Sequence, residues 1–139
     1  MKKICYFISG HGNITFEEWL EHYKPVIDQA LKEDSCFIIG DFRGVDTLSM
    51  EYLKDKTASV TITHCFSSAR YKVDIAGLLS NEWKYIGGFA NDTERDAYMT
   101  ENSDIDIAWI RIGREKSGTA KNIKRRQSKI HTTINNNEI

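Results

Sequence analysis

The 139-residue sequence is poor in proline and cysteine, with one and three residues respectively, and it has almost no net charge. Its 19 Lys and Arg residues are nearly balanced by 20 Asp and Glu residues, which leaves a net charge of −1. This balance argues against nucleic acid as a partner, because nucleic-acid-binding domains carry an excess of positive charge. No run of about 18 apolar residues is present, so the sequence also predicts no transmembrane helix and no membrane partner.

The few cysteines have no arrangement typical of a metal site. Cys5, Cys36 and Cys65 are separated by about thirty residues, and neither a CxxC pair nor a Cys/His ligand spacing is present. We therefore expect no bound metal, and we expect no organic cofactor. An odd number of cysteines in or beside predicted strands is typical of free thiols in the core of a protein from a reducing compartment. This pattern predicts a cytoplasmic protein.

The remaining composition is that of an ordinary globular domain, with 40% hydrophobic and 11% aromatic residues. A chain of this length buries roughly two-thirds of the surface that it exposes when unfolded. It therefore needs neither disulfides nor a metal to hold a core. We expect a single domain over residues 1–126, followed by a polar, Asn-rich and flexible tail over residues 127–139.

Hydrophobic periodicity predicts strands and helices in alternation. The predicted strands are 3–8, 36–39, 59–64 and 105–110. The predicted helices are 15–31, 45–54, 93–101 and one that begins near residue 119. Thr15 and Glu18 have the spacing of a capping box, Thr93 is the expected cap of the third helix, and Pro25 should kink or split the first. Segment 66–90 has no clear pattern and is expected to be partly helix and mostly loop.

Strands that alternate with helices predict the α/β class, and here a single doubly wound Rossmann-like domain with a mainly parallel sheet. Such sheets bind ligands beyond the carboxyl ends of the strands, at the point where the strand order reverses. This rule selects four segments as candidate ligand contacts. They are 9–15, 40–46, 65–95 and 111–119.

The strongest candidate is the turn between the second strand and its helix. Gly40 and Gly44 allow a tight turn and a close approach of the backbone to a ligand. The helix start that follows offers free N–H groups to a phosphate, and Arg43 adds a cation suited to phosphate or carboxylate. Asp46 opposes this interpretation, because a carboxylate neutralises part of the helix dipole. The alternative is that the glycines serve the turn and Asp46 caps the helix.

A second candidate lies where the last helix follows the last strand. Ser117, Gly118 and Thr119, with Asn122, supply the small hydroxyl residues and backbone N–H groups that can surround a phosphate. The alternative is an ordinary helix cap by Ser117.

Two weaker candidates lie in other predicted strand-end segments. Ser9, Gly10 and His11 follow the first strand, and His11 is either a ligand contact or a solvated loop histidine. Arg95 falls in the first turn of a helix, where the dipole disfavours a cation. Either a bound anion or a salt bridge to a neighbour such as Glu94, Asp92 or Asp96 would offset that cost.

Taken in order, these motifs resemble the SLOG superfamily, a Rossmann-like group related to the DNA-uptake protein DprA and to the cytokinin-activating phosphoribohydrolases. The similarity covers roughly residues 4–126 and is strongest to the YspA/YpsA-type branch. It rests on Ser9-Gly10, Gly40-x-x-Arg43-Gly44-Val45-Asp46, Glu94-Arg95-Asp96-x-x-Met99, Ser103-Asp104 and Ser117-Gly118-Thr119.

The resemblance implies a domain that binds a nucleotide or a nucleotide-derived ligand, such as an ADP-ribose-like signalling molecule, in a sensing or sequestering role. Gly40, Arg43, Gly44 and Asp46 would form a first phosphate-facing loop, and 117–119 a second. The resemblance also implies a homo-oligomer, because related domains pair through helices beside the pocket. A DNA-binding role by analogy with DprA is disfavoured by the near-neutral charge.

The resemblance leaves the question of an enzyme open. Arg95 matches the arginine of the Arg/Glu catalytic pair in the phosphoribohydrolases, but their glutamate is expected where this chain has 120–122, Ala-Lys-Asn. A carboxylate near the anomeric carbon stabilises the oxocarbenium-like state of glycoside hydrolysis. Its absence favours a binder. The alternative is a small N-glycoside hydrolase of nucleoside monophosphates, in which Arg95, Glu94 and Asp46 would be catalytic.

Overall fold

The computed structural model describes the backbone of residues 3–137 and the side chains of residues 3–129. Within these ranges five strands alternate with five α-helices and one 3₁₀ helix. In chain order the elements are β1 (Cys5–Ile8), α1 (Phe16–His22), α2 (Lys24–Leu31), β2 (Cys36–Ile39), α3 (Val45–Leu53), β3 (Val60–Cys65), the 3₁₀ helix (Leu79–Glu82), β4 (Lys84–Phe89), α4 (Asp92–Glu101), β5 (Ile105–Ile107) and α5 (Gly118–Asn137).

The strands form one parallel sheet in the order β4-β3-β2-β1-β5. Phe7 of β1 is paired with Ile38 of β2 on one side and with Asp106 of β5 on the other. The chain builds the sheet outward from β1 to β4 and then crosses back to place β5 beside β1. The predicted α/β class is thus confirmed, as a single doubly wound, Rossmann-like sheet whose strand order reverses between β1 and β5.

Helices cover both faces of the sheet. Side chains along a strand alternate between these faces, so each strand contributes residues to two cores. On one face, Ile8 belongs to the main core, which includes Trp19 of α1 and residues of α2 and α3. On the other face, Phe7 and Ile38 pack against Met99 of α4. Burial of both faces explains why the central strands read as continuous apolar runs.

The predicted break at Pro25 is confirmed, since the first helical segment is divided into α1 and α2 with Tyr23 between them. Pro25 lies in the first turn of α2, where its missing N–H leaves no helical bond unmade. At the start of α1, the Thr15 hydroxyl accepts from the Glu18 amide at 3.1 Å. The Glu18 carboxylate accepts from the Thr15 amide at 2.9 Å, so the predicted capping box is present.

The structure differs from the prediction around segment 66–90. This segment contains the 3₁₀ helix and the edge strand β4. Gly87 and Gly88 within β4 obscure a strand pattern, because glycine has no side chain to pack and weakens strands. The cap of α4 is Asn91 rather than Thr93, since the Asn91 side chain accepts from the Glu94 amide at 2.8 Å.

β5 is shorter than predicted and ends at Ile107 rather than at residue 110. After Ile107, backbone amides donate to side chains outside the sheet instead of to a neighbouring strand. The Trp109 amide donates to the Tyr23 hydroxyl at 3.0 Å, and the Arg111 amide donates to Nε2 of His11 at 2.9 Å. These bonds attach the loop after β5 to Tyr23, between α1 and α2, and to the loop after β1.

The backbone of α5 continues to Asn137, beyond residue 126, where the sequence suggested the end of the folded domain. The expected flexible tail over 127–139 falls mostly on residues whose side chains lie outside the described range, and it stays a prediction. None of the described helices is both long enough and apolar enough to cross a membrane.

Candidate functional site

A cleft of about 200 Å³ opens at the carboxyl edge of the sheet. Its walls are the loops that follow β1 and β2 and the first turns of α4 and α5. The strand order reverses between β1 and β5, so this is the place where a doubly wound sheet binds its ligand. The predicted segments 9–15, 40–46, 65–95 and 111–119 all contribute residues to it.

The cleft brings together most of the residues that the sequence singled out. Every predicted site residue lines it except Arg43, Gly44 and Glu94. The lining residues from the prediction are Ser9, Gly10, His11, Gly40, Asp46, Arg95, Ser117, Gly118, Thr119 and Asn122.

The three predicted residues outside the cleft lining have other contacts. Arg43 is exposed and lies over the ring of Phe42, 4.8 Å from its centroid. Gly44 has a positive φ of 79°, and a Cβ there would lie 2.3 Å from the carbonyl oxygen of His11. This glycine therefore serves the turn. Glu94 accepts a hydrogen bond from the Ala90 amide at 3.0 Å, at the start of α4.

Arg95 is buried, and carboxylates already neutralise its charge. Its guanidinium lies 2.8 Å from Asp41, 3.3 Å from Asp92 and 3.2 Å from Asp96. Salt bridges thus offset the unfavourable position of a cation in the first turn of α4, which is one of the two explanations that the sequence left open. Arg95 therefore holds carboxylates in place at the cleft, and its own charge is already neutralised.

Asp41 connects two arginines, and sequence analysis missed it as a site residue. It is only 1% exposed and accepts three bonds from Arg70, from the backbone amide at 2.8 Å and from the guanidinium at 2.7 and 3.1 Å. Burial alone would raise the pKa of Asp41, but these bonds and the charge of Arg95 hold it below its usual range. Its position directly after a buried strand was the only sign of this role.

Asp46 is a buried carboxyl group in the cleft wall. Its Oδ2 accepts the Phe42 amide at 3.0 Å. Burial raises the pKa of Asp46 to about 7, against the opposing effects of the Phe42 amide and Arg95. The nearby carboxylate of Asp96 raises it further. Near neutral pH this group therefore exists in both protonation states, so it can donate or accept a proton.

Gly40 allows the charged groups of the cleft to approach the backbone. A Cβ at this position would lie 2.9 Å from Oδ2 of Asp46 and 3.1 Å from Cζ of Arg95. Any larger residue would have to displace the side chain of Asp46 or Arg95. The glycine that the sequence assigned to ligand approach therefore makes room for the chain's own side chains.

Asp96 and Asn122 meet between α4 and α5. Burial raises the pKa of Asp96, while the charge of Arg95 and hydrogen bonds from Arg95 and Asn122 oppose the shift. The side-chain oxygen of Asn122 accepts from Arg125 at 2.7 Å, which leaves its NH₂ group to face Asp96. Asp46, Asp96 and Asn122 together make one wall rich in hydrogen-bonding groups.

Another wall is the amino terminus of α5, one turn before Asn122. The Ser117 hydroxyl accepts from the Ala120 amide at 3.2 Å, so the predicted helix cap is present. The amide N–H groups of Gly118 and Thr119 meet no acceptor among residues 3–129. A helix start with unpaired N–H groups attracts an anion through both hydrogen bonding and the helix dipole.

Ser9 supplies an independent indication of a ligand. It lines the cleft, is 7% exposed, and its hydroxyl oxygen has no hydrogen-bond partner among the described residues. A buried polar group without a partner costs about 1–3 kcal/mol. A bound molecule that hydrogen-bonds to this hydroxyl would remove that cost.

His11 holds the cleft in shape and is not a solvated loop residue. It is 3% exposed, and its Nε2 accepts the Arg111 amide. Burial lowers the pKa of His11, and the charges of Arg114 and Arg111 lower it further. The neutral ring therefore fixes the loop after β5 against the loop after β1. Arg114, which the sequence analysis did not single out, is exposed and lines the cleft from that loop.

Comparison of the chain with protein-family models, with curated proteins and with solved structures finds no match. The similarity to the SLOG superfamily therefore stays a prediction. Among the described residues, no group of three or more His, Cys, Asp or Glu side chains is placed to hold a metal ion. The chemistry of the cleft has to be argued from its own residues.

Proposed function

We propose that the protein binds a nucleotide or nucleotide-derived ligand in this cleft, in a sensing or sequestering role. The observation that carries the proposal is the unpartnered, buried hydroxyl of Ser9 in the same cleft as the unpaired amides of Gly118 and Thr119. Three free donors in one cleft match the several acceptor oxygens of a phosphate group. Arg114 adds a cation on the same side.

The wall formed by Asp46, Asp96 and Asn122 favours a phosphate that is attached to a sugar. The carboxyl groups of Asp46 and Asp96 would disfavour a free phosphate, but they can accept hydrogen bonds from hydroxyl groups. A ribose phosphate offers an anion at one end and hydroxyls at the other. The two walls of the cleft are complementary to these two ends.

The volume of the cleft favours a mononucleotide. About 200 Å³ is less than the roughly 300–1,000 Å³ of pockets that enclose a whole drug-sized ligand. A ribose phosphate would fill it and leave the base at the opening. An ADP-ribose-like ligand would leave its second half outside the cleft.

One observation favours the alternative of an N-glycoside hydrolase. The pKa of Asp46, raised to about 7 chiefly by burial, gives the cleft a carboxyl group that can donate a proton near neutral pH. A second carboxylate, Asp96, lies close enough to affect it. Pairs of carboxyl groups with different protonation states carry out glycoside hydrolysis. Asp96 would then take the part that the sequence gave to Glu94.

Incubation with nucleoside 5′-monophosphates separates the two functions. For a binder, we expect a rise in the melting temperature with nucleotides, a smaller rise with the corresponding nucleosides, and no free base by chromatography. For a hydrolase, free base accumulates and its release is lost in Asp46→Asn. Equal effects of nucleotide and nucleoside would contradict the phosphate-binding site itself.

A further inference from the structure

Another cavity lies at the amino edge of the sheet, at the opposite ends of the strands from the cleft. It is a groove of about 830 Å³, and Cys5 and Cys36 both line it. Each cysteine is the first residue of its strand, β1 and β2. Both are partly exposed, whereas Cys65 is buried. Two of the three thiols are therefore only partly buried, in contrast to the expectation from the sequence, although Cys5 packs against the core cluster that contains Phe7.

The sheet register places these two thiols side by side. Cys5 and Cys36 are directly paired on neighbouring parallel strands, so their side chains point to the same face of the sheet. Neighbouring strands are about 4.8 Å apart, and a disulfide spans Cα atoms that are roughly 4.4–6.8 Å apart. The backbone therefore needs no large movement to join the two sulfur atoms.

We propose that Cys5 and Cys36 form a dithiol site that reacts with low-molecular-weight disulfides and closes to an intramolecular disulfide between β1 and β2. The groove gives a small disulfide such as oxidised glutathione access to both sulfur atoms. Cys65 does not take part, because it is buried on β3 and directs its thiol to Asp92, with a sulfur–oxygen distance of 3.6 Å.

The reaction proceeds by two exchanges. The Cys36 thiolate attacks one sulfur of oxidised glutathione, forms a mixed disulfide and releases one glutathione thiolate. Cys5 then loses its proton, attacks the Cys36 sulfur and releases the second glutathione. In total, two protein thiols and one glutathione disulfide give one protein disulfide and two glutathione thiols, so two electrons pass from protein to glutathione.

The order of attack follows from the environment of Cys5. Burial and contact with Cys36 raise the pKa of Cys5 to about 12. Cys5 therefore holds its proton tightly, which makes it the later of the two thiols to react. Cys5 lies beside Cys36 in the sheet register and acts second, as the resolving thiol.

Intact-mass spectrometry after treatment of the reduced, folded protein with oxidised glutathione tests the proposal. We expect a product lighter than the reduced protein by two hydrogen atoms, with Cys5 and Cys36 linked in the peptide map. Cys65→Ser, the matched control, should give the same bond. Cys5→Ser should stop at the mixed disulfide and gain the mass of one glutathionyl group.

Three results would overturn the proposal. They are a lasting glutathione adduct on the wild-type protein, a disulfide that includes Cys65, and unchanged thiols under conditions that oxidise dithiothreitol. Circular dichroism of each variant before treatment shows that it is folded. The reaction does not depend on the carboxyl-edge cleft, so its outcome is independent of the proposed nucleotide binding.

Discussion

Asp46 shows how strongly the surroundings of a single side chain set its chemistry in this protein. In an exposed position a carboxyl group would be ionised at neutral pH, but burial beside Asp96 raises the pKa of Asp46 to about 7. The folded protein therefore binds a proton at this position in a pH range in which the unfolded chain has lost it. Folding stability must then depend on pH through this residue.

The expected pH dependence follows from the direction of the shift. Because the folded pKa lies above the ordinary value of 3.8, the contribution of Asp46 to stability is fully present below about pH 4 and is lost as the pH rises toward 7. Asp46→Asn removes this loss and retains an oxygen that can accept the Phe42 amide. Between pH 5 and 7.5 the free energy of unfolding of this variant should gain about 2 kcal/mol over the wild type. Urea denaturation at both pH values measures the difference, and a gap that does not change with pH would contradict a buried, proton-binding Asp46.

Arg95 and Arg43 are both cations from predicted ligand loops, but their surroundings differ. Arg95→Ala removes the partner of buried Asp41 and of Asp96, which should destabilise the fold by about 3 kcal/mol, because uncompensated buried charges are costly. Arg43→Ala, the control, changes an exposed side chain and should alter stability by less than about 0.5 kcal/mol. Chemical denaturation of the two variants compares them. Equal stabilities would show that the ion pairs of Arg95 do not support the fold.

At the scale of single elements, the sequence predicted those features that depend on residues close together in the chain. The capping box of Thr15 and Glu18 and the break at Pro25 depend on neighbours within four residues, and both are confirmed. β4 was missed because Gly87 and Gly88 leave its pattern weak and because it is an edge strand, with mixed exposure. The early end of β5 could not be seen in the sequence, since its cause is hydrogen bonding to Tyr23 and His11.

At the scale of the whole molecule, the alternation of strands and helices was sufficient to predict the fold class and the edge that carries the cleft. The partners inside the cleft were not predictable. Arg95 and Asp41 are 54 positions apart in the chain, and Arg111 and His11 are 100 apart. No local pattern encodes such contacts. The expected pairing of copies into a homo-oligomer stays a prediction.

The central claim is that strand-end loops and the start of α5 form one phosphate site, and removal of a single amide tests it most directly. Gly118→Pro deletes one N–H at the first position of α5, a position that tolerates proline. Gly118→Ala keeps the N–H, and no atom lies within 4 Å of the added Cβ. Calorimetric titration with a nucleoside 5′-monophosphate should show affinity at least about 10-fold weaker for the proline variant and unchanged for the alanine variant. Equal affinities of both variants and the wild type would contradict a phosphate bound at this helix.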